Sequence, residues 1–129
     1  LEVGTGCGYQ AAVLAELGAE LDTIEIVAPL ADWARRTRQA LGYDAVRGPP
    51  ADGHLGLPER APFDRIIVTA APAAVPTALI DQLAPNGRLV LPVGGRFGQE
   101  LLVIDKDAEG RVHERPTLPV AFVPLTGGH

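Results

Sequence analysis

Leu1-Glu2-Val3-Gly4-Thr5-Gly6-Cys7-Gly8-Tyr9-Gln10-Ala11-Ala12 opens the chain, and its reading decides the fold. A short apolar stub runs into three glycines at alternate positions, and a stretch of helical spacing follows. Glycines let the backbone turn sharply and leave no Cβ between it and a ligand. The helix that starts just after them presents free N–H groups to whatever lies in the turn. Taken alone, such a turn suits a nucleotide-type ligand or a plain tight turn. Its surroundings decide between the two.

Working outward, the first helix is expected from Tyr9 to Leu17, with Gly18 as its stop. Leu21 to Ile26 reads as a second strand. Pro29 then opens a helix over Leu30 to Leu41, in which Trp33, Ala34, Thr37 and Leu41 recur at helical spacing and Arg35, Arg36 and Arg38 face outward. Ala45 to Arg47 is a short third strand that Gly48-Pro49-Pro50 must end, since prolines remove ladder donors. A loop covers Asp52 to Pro62. Phe63 to Thr69 contains Ile66-Ile67-Val68, a β-branched run typical of a strand covered on both faces. Val75 to Leu83 is expected to be helical and to close at Pro85-Asn86-Gly87, with a buried strand from Arg88 to Val93. Leu101 to Ile104 and the residues from Arg111 onward form a hairpin about Asp107-Ala108-Glu109-Gly110, and a last strand is expected near Val120 to Val123. This order predicts one α/β domain over residues 1–129, Rossmann-like, with a mostly parallel sheet and antiparallel strands at one edge.

Composition narrows the function. Hydrophobic residues make up 47% and charged ones 21% of the 129 residues, which excludes wholesale disorder. A net charge of −5 argues against broad binding to nucleic acid or anionic membranes. No apolar run approaches the roughly 18 residues of a membrane span. The single cysteine, Cys7, cannot form an internal disulfide and suits a reducing cytosol. His54, His113 and His129 share no metal-ligand spacing, so no metal is expected. The sequence has no methionine and enters the glycine turn after only three residues, so an N-terminally truncated domain is expected.

Glu25 lies 21 positions after Gly4 at the end of the second strand, where a carboxylate can accept hydrogen bonds from ribose hydroxyls. Asp52-Gly53, after the third strand, offers a second carboxylate beside an adenine amino group, or simply a turn-forming pair. Both a dinucleotide and S-adenosylmethionine fit these features. Glycine spacing favours the latter: dinucleotide turns run G-x-G-x-x-G toward a pyrophosphate, whereas this one runs G-x-G-x-G with no basic residue nearby.

The opening stretch, Asp52-Gly53 with Gly56-Leu57-Pro58, Ala61-Pro62-Phe63-Asp64, Ile66-Ile67-Val68-Thr69-Ala70-Ala71-Pro72, Gly87-Arg88-Leu89-Val90-Leu91-Pro92-Val93-Gly94, Phe97-Gly98-Gln99-Glu100-Leu101 and Phe122-Val123-Pro124-Leu125 together resemble the protein-L-isoaspartate O-methyltransferase family over nearly the whole chain. The resemblance implies a repair enzyme that methylates L-isoaspartyl and D-aspartyl residues of damaged proteins with S-adenosyl-L-methionine. It places Glu2, Gly4, Thr5, Gly6, Gly8 and Glu25 at the cofactor, with Asp52 and Gly53 near the adenine. Ala70, Ala71 and Pro72 would border the substrate, and Val123, Pro124 and Leu125 would dock the isoaspartyl peptide. Thr69 and Thr126 would donate hydrogen bonds to the substrate carboxylate or backbone as the catalytic pair. It further implies isoaspartyl proteins and peptides as partners, neither nucleic acid nor membrane, and a cytoplasmic monomer.

Three departures stand out. Cys7 occupies a position where the family commonly has serine, Gly48-Pro49-Pro50-Ala51 replaces a valine-rich strand, and Ile26-Val27-Ala28 lacks the polar residue often found after the ribose-binding glutamate. The family also uses a serine- or threonine-bearing segment upstream of the glycine turn, which these residues do not include. The chemistry asks little of acid–base groups: a carboxylate of ordinary pKa near 3.9 is already the nucleophile at neutral pH. Alignment and exclusion of water are then the protein's task. Alternatives are an aspartate methyltransferase of peptide natural-product synthesis, or a cofactor-binding piece that performs no chemistry. A dehydrogenase ranks behind both.

Overall fold

The computed structural model describes residues 1–128, so the expectation for His129 lies outside the described residues. Six strands form one sheet in the order β2-β1-β3-β4-β5-β6, with β1 at Glu2–Val3, β2 at Thr23–Ile24, β3 at Phe63–Val68, β4 at Leu83–Gly95, β5 at Gly98–Lys106 and β6 at Val112–Val120. The helices are α1 (Tyr9–Glu16), α2 (Ala28–Ala40) and α3 (Thr77–Asp81). Strands β1 to β4 pair in parallel, and β4, β5 and β6 pair antiparallel. This is the expected architecture.

The order of crossing positions the site. From β1 the chain passes through α1 to β2 on one side, then returns to β3 on the other side of β1. The connections therefore diverge at the carboxyl end of β1, which is where open α/β sheets hold their ligands. Ile24, Ile66, Leu79, Leu89, Leu91 and Ile104 are essentially inaccessible to solvent and form the core around these strands. A smaller cluster of Ala11, Leu21 and Val46 lies under α1.

Several local expectations are corrected. The third strand is reduced to isolated parallel bridges, Asp22 to Arg47 and Glu25 to Pro50. Main-chain bonds flank the gap (Thr23 N–H to Arg47 O at 2.8 Å, Ala51 N–H to Glu25 O at 3.1 Å), but Pro49 and Pro50 have no N–H to continue them. The helix expected over Val75 to Leu83 shrinks to Thr77–Asp81. Pro76 precedes it, and Phe63 N–H takes the Gln82 carbonyl for the sheet at 2.8 Å. The Lys106 ammonium then donates to the Ile80 and Leu83 carbonyls at 2.6 and 2.7 Å, satisfying the end of this short helix. Pro85-Asn86-Gly87 lies within β4 as an irregularity, with Asn86 in the left-handed region at φ 61°. No separate strand forms near Val120 to Val123. β6 ends at Val120, and the tail peels away to bridge Ala71 through Pro124. Trp33 on α2 and Leu41 just after it are exposed, whereas Arg38, expected outside, is buried.

Candidate active site

A cleft of about 260 Å³ opens at the carboxyl ends of β1, β2 and β3. Gly4 and Gly6 form its floor, Glu25 and Val27 one side, Thr69 and Ala70 the other, and the tail from Val123 to Thr126 closes it. A larger hollow of about 560 Å³ lies toward the opposite, amino ends of the strands and is lined by Leu1, Asp22, Arg47, Arg65 and Arg88. The smaller cleft is the candidate site, because it alone coincides with the glycine turn and the divergence of the chain.

The turn is built as the sequence requires. Gly4 sits at φ +95°, and a Cβ there would run into Thr69 Oγ1. That same hydroxyl donates to Gly4 O at 2.7 Å, so Thr69 ties the end of β3 to the turn. Gly4 N–H donates to Ile24 O at 2.9 Å, which fixes the turn to β2 as well. Gly6 N–H donates to Glu25 Oε2 at 3.0 Å and Val27 N–H to Glu25 Oε1 at 3.2 Å. Glu25 thus stands at the rim with its carboxylate beside the turn.

Beneath the turn runs a second layer. Thr5 Oγ1 lies 2.6 Å from Thr23 Oγ1, and Thr23 Oγ1 donates to Glu2 Oε1 at 2.5 Å. Thr23 has its single proton on Glu2, so Thr5 is the donor to Thr23. Gln10 Nε2 donates to Glu2 Oε2 at 2.9 Å. Glu2 is completely buried, and burial pushes its pKa up against the opposing hydrogen bonds from Thr23 and Gln10 and the charge of Arg38.

The expected cofactor residues therefore divide. Gly4, Gly6, Glu25 and Gly53 line the cleft, while Glu2, Thr5 and Gly8 lie below or behind it. Gly53 is packed so closely that a Cβ would stand 2.5 Å from Val3 Cγ1. Asp52 turns away: its Oδ1 accepts from His54 N–H at 2.9 Å and its Oδ2 from Gly128 N–H at 2.7 Å. Partial burial opposes its ionised form, but these amide bonds and the His54 ring outweigh that and hold its carboxyl below the usual range. Among the expected substrate and catalytic residues, Ala70, Val123, Pro124, Leu125, Thr69 and Thr126 line the cleft. Ala71 and Pro72 are buried instead. Ala71 serves the tail through its main chain, donating to Val123 O at 2.7 Å and accepting from Leu125 N–H at 2.8 Å. Thr126 is exposed at the rim.

Sequence reasoning missed Thr23, Gln10 and Arg38. Thr23 was recoverable, since parallel pairing of the first two strands sets it opposite Glu2. Arg38 left no periodic signal, because its burial depends on a gap at Gly48 in another segment. Cys7 is exposed and free, and among the described residues no three His, Cys, Asp or Glu side chains cluster as metal ligands. None of the described helices is long and apolar enough to cross a membrane.

A glycine turn after β1, an acid after β2 and small residues after β3 define a Rossmann-like fold of the S-adenosylmethionine-dependent methyltransferase type. Within that class the chain belongs to the protein-L-isoaspartate(D-aspartate) O-methyltransferase family, whose sequence profile matches residues 1–129. It is 55% identical over 130 residues to protein-L-isoaspartate O-methyltransferase 2 of Syntrophobacter fumaroxidans, covering 100% of this chain and 53% of the relative. The chain thus spans about half the length of the curated relatives it matches. A solved protein-L-isoaspartate O-methyltransferase superposes with a TM-score of 0.89 at 28% identity, over 98% of this chain and 41% of the other. Another family structure, from Plasmodium falciparum and in complex with S-adenosyl-L-homocysteine, gives a TM-score of 0.77 at 25% identity, over 97% of this chain and 64% of that one.

Proposed function

We propose that the protein of which these residues form the cofactor-binding part is a protein-L-isoaspartate(D-aspartate) O-methyltransferase. Its donor would be S-adenosyl-L-methionine, and its substrates the isoaspartyl and D-aspartyl residues of damaged proteins. The observation that carries this reading is the charge of the cleft. Among the described residues lining it, Glu25 is the only charged side chain, and no lysine or arginine is present. A pyrophosphate would go unpaired there, whereas a sulfonium cofactor bearing a ribose diol finds one carboxylate and a Cβ-free turn.

In this reading Gly4 and Gly6 bring backbone against the cofactor, and Glu25, held beside the turn by Gly6 N–H and Val27 N–H, accepts from the ribose. When bound, S-adenosyl-L-methionine supplies an activated methyl group on a positively charged leaving group. Ala70 leaves room above β3 for an isoaspartyl backbone lengthened by one methylene, and Val123 to Thr126 shield the opposite wall from water. Thr126, exposed at the rim, is the side chain placed to donate to the peptide. The Thr69 hydroxyl proton is engaged by Gly4 O, so Thr69 contributes by holding the turn. No general base is required, since the attacking carboxylate is ionised at neutral pH. The proposal also takes the protein to be a cytoplasmic monomer.

The test uses the full-length protein. Titration calorimetry with S-adenosyl-L-homocysteine should give binding, and methyl transfer should favour an isoaspartyl peptide over its aspartyl isomer. NADH binding without S-adenosyl-L-homocysteine binding would overturn the cofactor. Equal turnover of the two peptides would overturn the substrate, and binding without any turnover would reduce the protein to a binding module.

A further inference from the structure

Arg38 is 4% exposed, and its Nε and Nη1 have no hydrogen-bond partner among the described residues. A buried, unpartnered guanidinium is one of the costliest groups a fold can retain. Its side chain runs from beneath Gly8, where a Cβ would lie 3.7 Å from Arg38 Cγ, to Gly48. A Cβ on Gly48 would collide with Arg38 Nη2 and stand 3.2 Å from Arg38 Cζ and 3.3 Å from Thr23 Cγ2. The guanidinium therefore fills the space that the missing Gly48 side chain leaves beside Thr23. Thr23 is also the residue whose hydroxyl bonds Glu2 at 2.5 Å. The buried Glu2 carboxylate and the buried Arg38 cation thus meet on opposite sides of one threonine, and each charge favours the other's ionised form. The remaining charge near Arg38 is Arg35, which repels it and pairs with Asp32 at the surface.

We propose that Arg38, seated in the notch at Gly48, is a positioning residue for the cofactor turn and acts as counter-charge to Glu2. Glu2 holds Thr23, and through it Thr5, as well as Gln10 at the start of α1. An ionised Glu2 can accept from both sides at once, and a protonated one has an O–H of its own to place. Arg38 thereby keeps the layer under the turn in a single arrangement. The inference rests on the proposed cofactor and deepens that reading.

Arg38→Met keeps the length of the side chain and removes its charge. In the full-length protein it should weaken S-adenosyl-L-homocysteine about tenfold, the scale of one charge-assisted contact. The loss should fall on cofactor KM rather than on kcat. Glu2→Gln alone strands the Arg38 charge and should weaken binding similarly. The double variant removes both charges, lets a glutamine accept from Thr23 and pair with a flipped Gln10, and should recover to within about threefold of the parent. Gly48→Val should reproduce the loss in the parent and add little to Arg38→Met. Unchanged affinity in Arg38→Met, or single losses that multiply in the double variant, would overturn the proposal. Should Arg38→Met not fold, the double variant is decisive, and its failing too overturns the idea. The same cancellation must appear in urea unfolding, which needs no cofactor. A parent that ignores S-adenosyl-L-homocysteine therefore sinks the proposed function while leaving this inference to be judged by stability.

Discussion

At Gly4 one hydrogen atom in place of a methyl group decides whether β1, β2 and β3 can meet. The residue combines a left-handed φ with direct apposition to the Thr69 hydroxyl, so Gly4→Ala incurs strain twice. We expect it to lower stability by about 1–3 kcal/mol, the range for a strained non-glycine conformation, and to abolish S-adenosyl-L-homocysteine binding. Urea unfolding and calorimetry on the full-length protein measure the two effects, and a variant that binds as its parent does would show that the turn tolerates a side chain. Glycine spacing announced this position, because the constraint is local. Glu25 was legible for the same reason, since strand length and helix length fix its distance from the turn. Asp52 was legible as a residue but not as a partner. Its carboxylate is taken by Gly128 N–H from the far end of the chain, which no spacing rule reports.

Elements whose signals are carried by their own residues matched expectation, and those decided by neighbours did not. Ile66-Ile67-Val68 lies in a central strand, and Asp107 to Gly110 turns the β5–β6 hairpin as the sequence indicates. α3 is shorter than its apolar pattern because the sheet claims Gln82 O, and the third strand fails because two prolines leave the ladder without donors. Arg38 was misread because a helical pattern cannot see a notch at Gly48. The hairpin turn supplies a pH prediction. Partial desolvation works against the ionised Asp107 carboxylate, but bonds from the Arg111 side chain, the Arg111 and Glu109 amides and His113 prevail and lower its pKa to about 2. An aspartate depressed in the folded state stabilises fully above its unfolded pKa of about 3.9 and loses that contribution as pH falls through the folded value. The turn should therefore hold to about pH 4 and loosen progressively toward pH 2. Amide shifts of Glu109 and Arg111 should titrate with Asp107, and Asp107→Asn should remove the titration. A midpoint near 3.9 in the parent would contradict it.

Across the molecule, stability should concentrate where β3, β4 and β5 lie side by side. Leu89, Leu91 and Ile104 are wholly inaccessible there, whereas Leu118 on the edge strand β6 is half exposed. Leu89→Ala should cost about 2–5 kcal/mol of global stability, and Leu118→Ala less than about 0.5. Equal losses in urea unfolding would mean that the edge hairpin is part of the same cooperative core. The last residues have a role that their exposure conceals. Through Ala71, Asp52 and the amide of Gln99, which grips Phe122 by both its N–H and its carbonyl, they are stitched to three separate segments. A bulky label attached beside Gly128 would therefore pull directly on the segment that closes the cleft. A label there should weaken S-adenosyl-L-homocysteine binding in calorimetry, where the same label at a remote surface site should not.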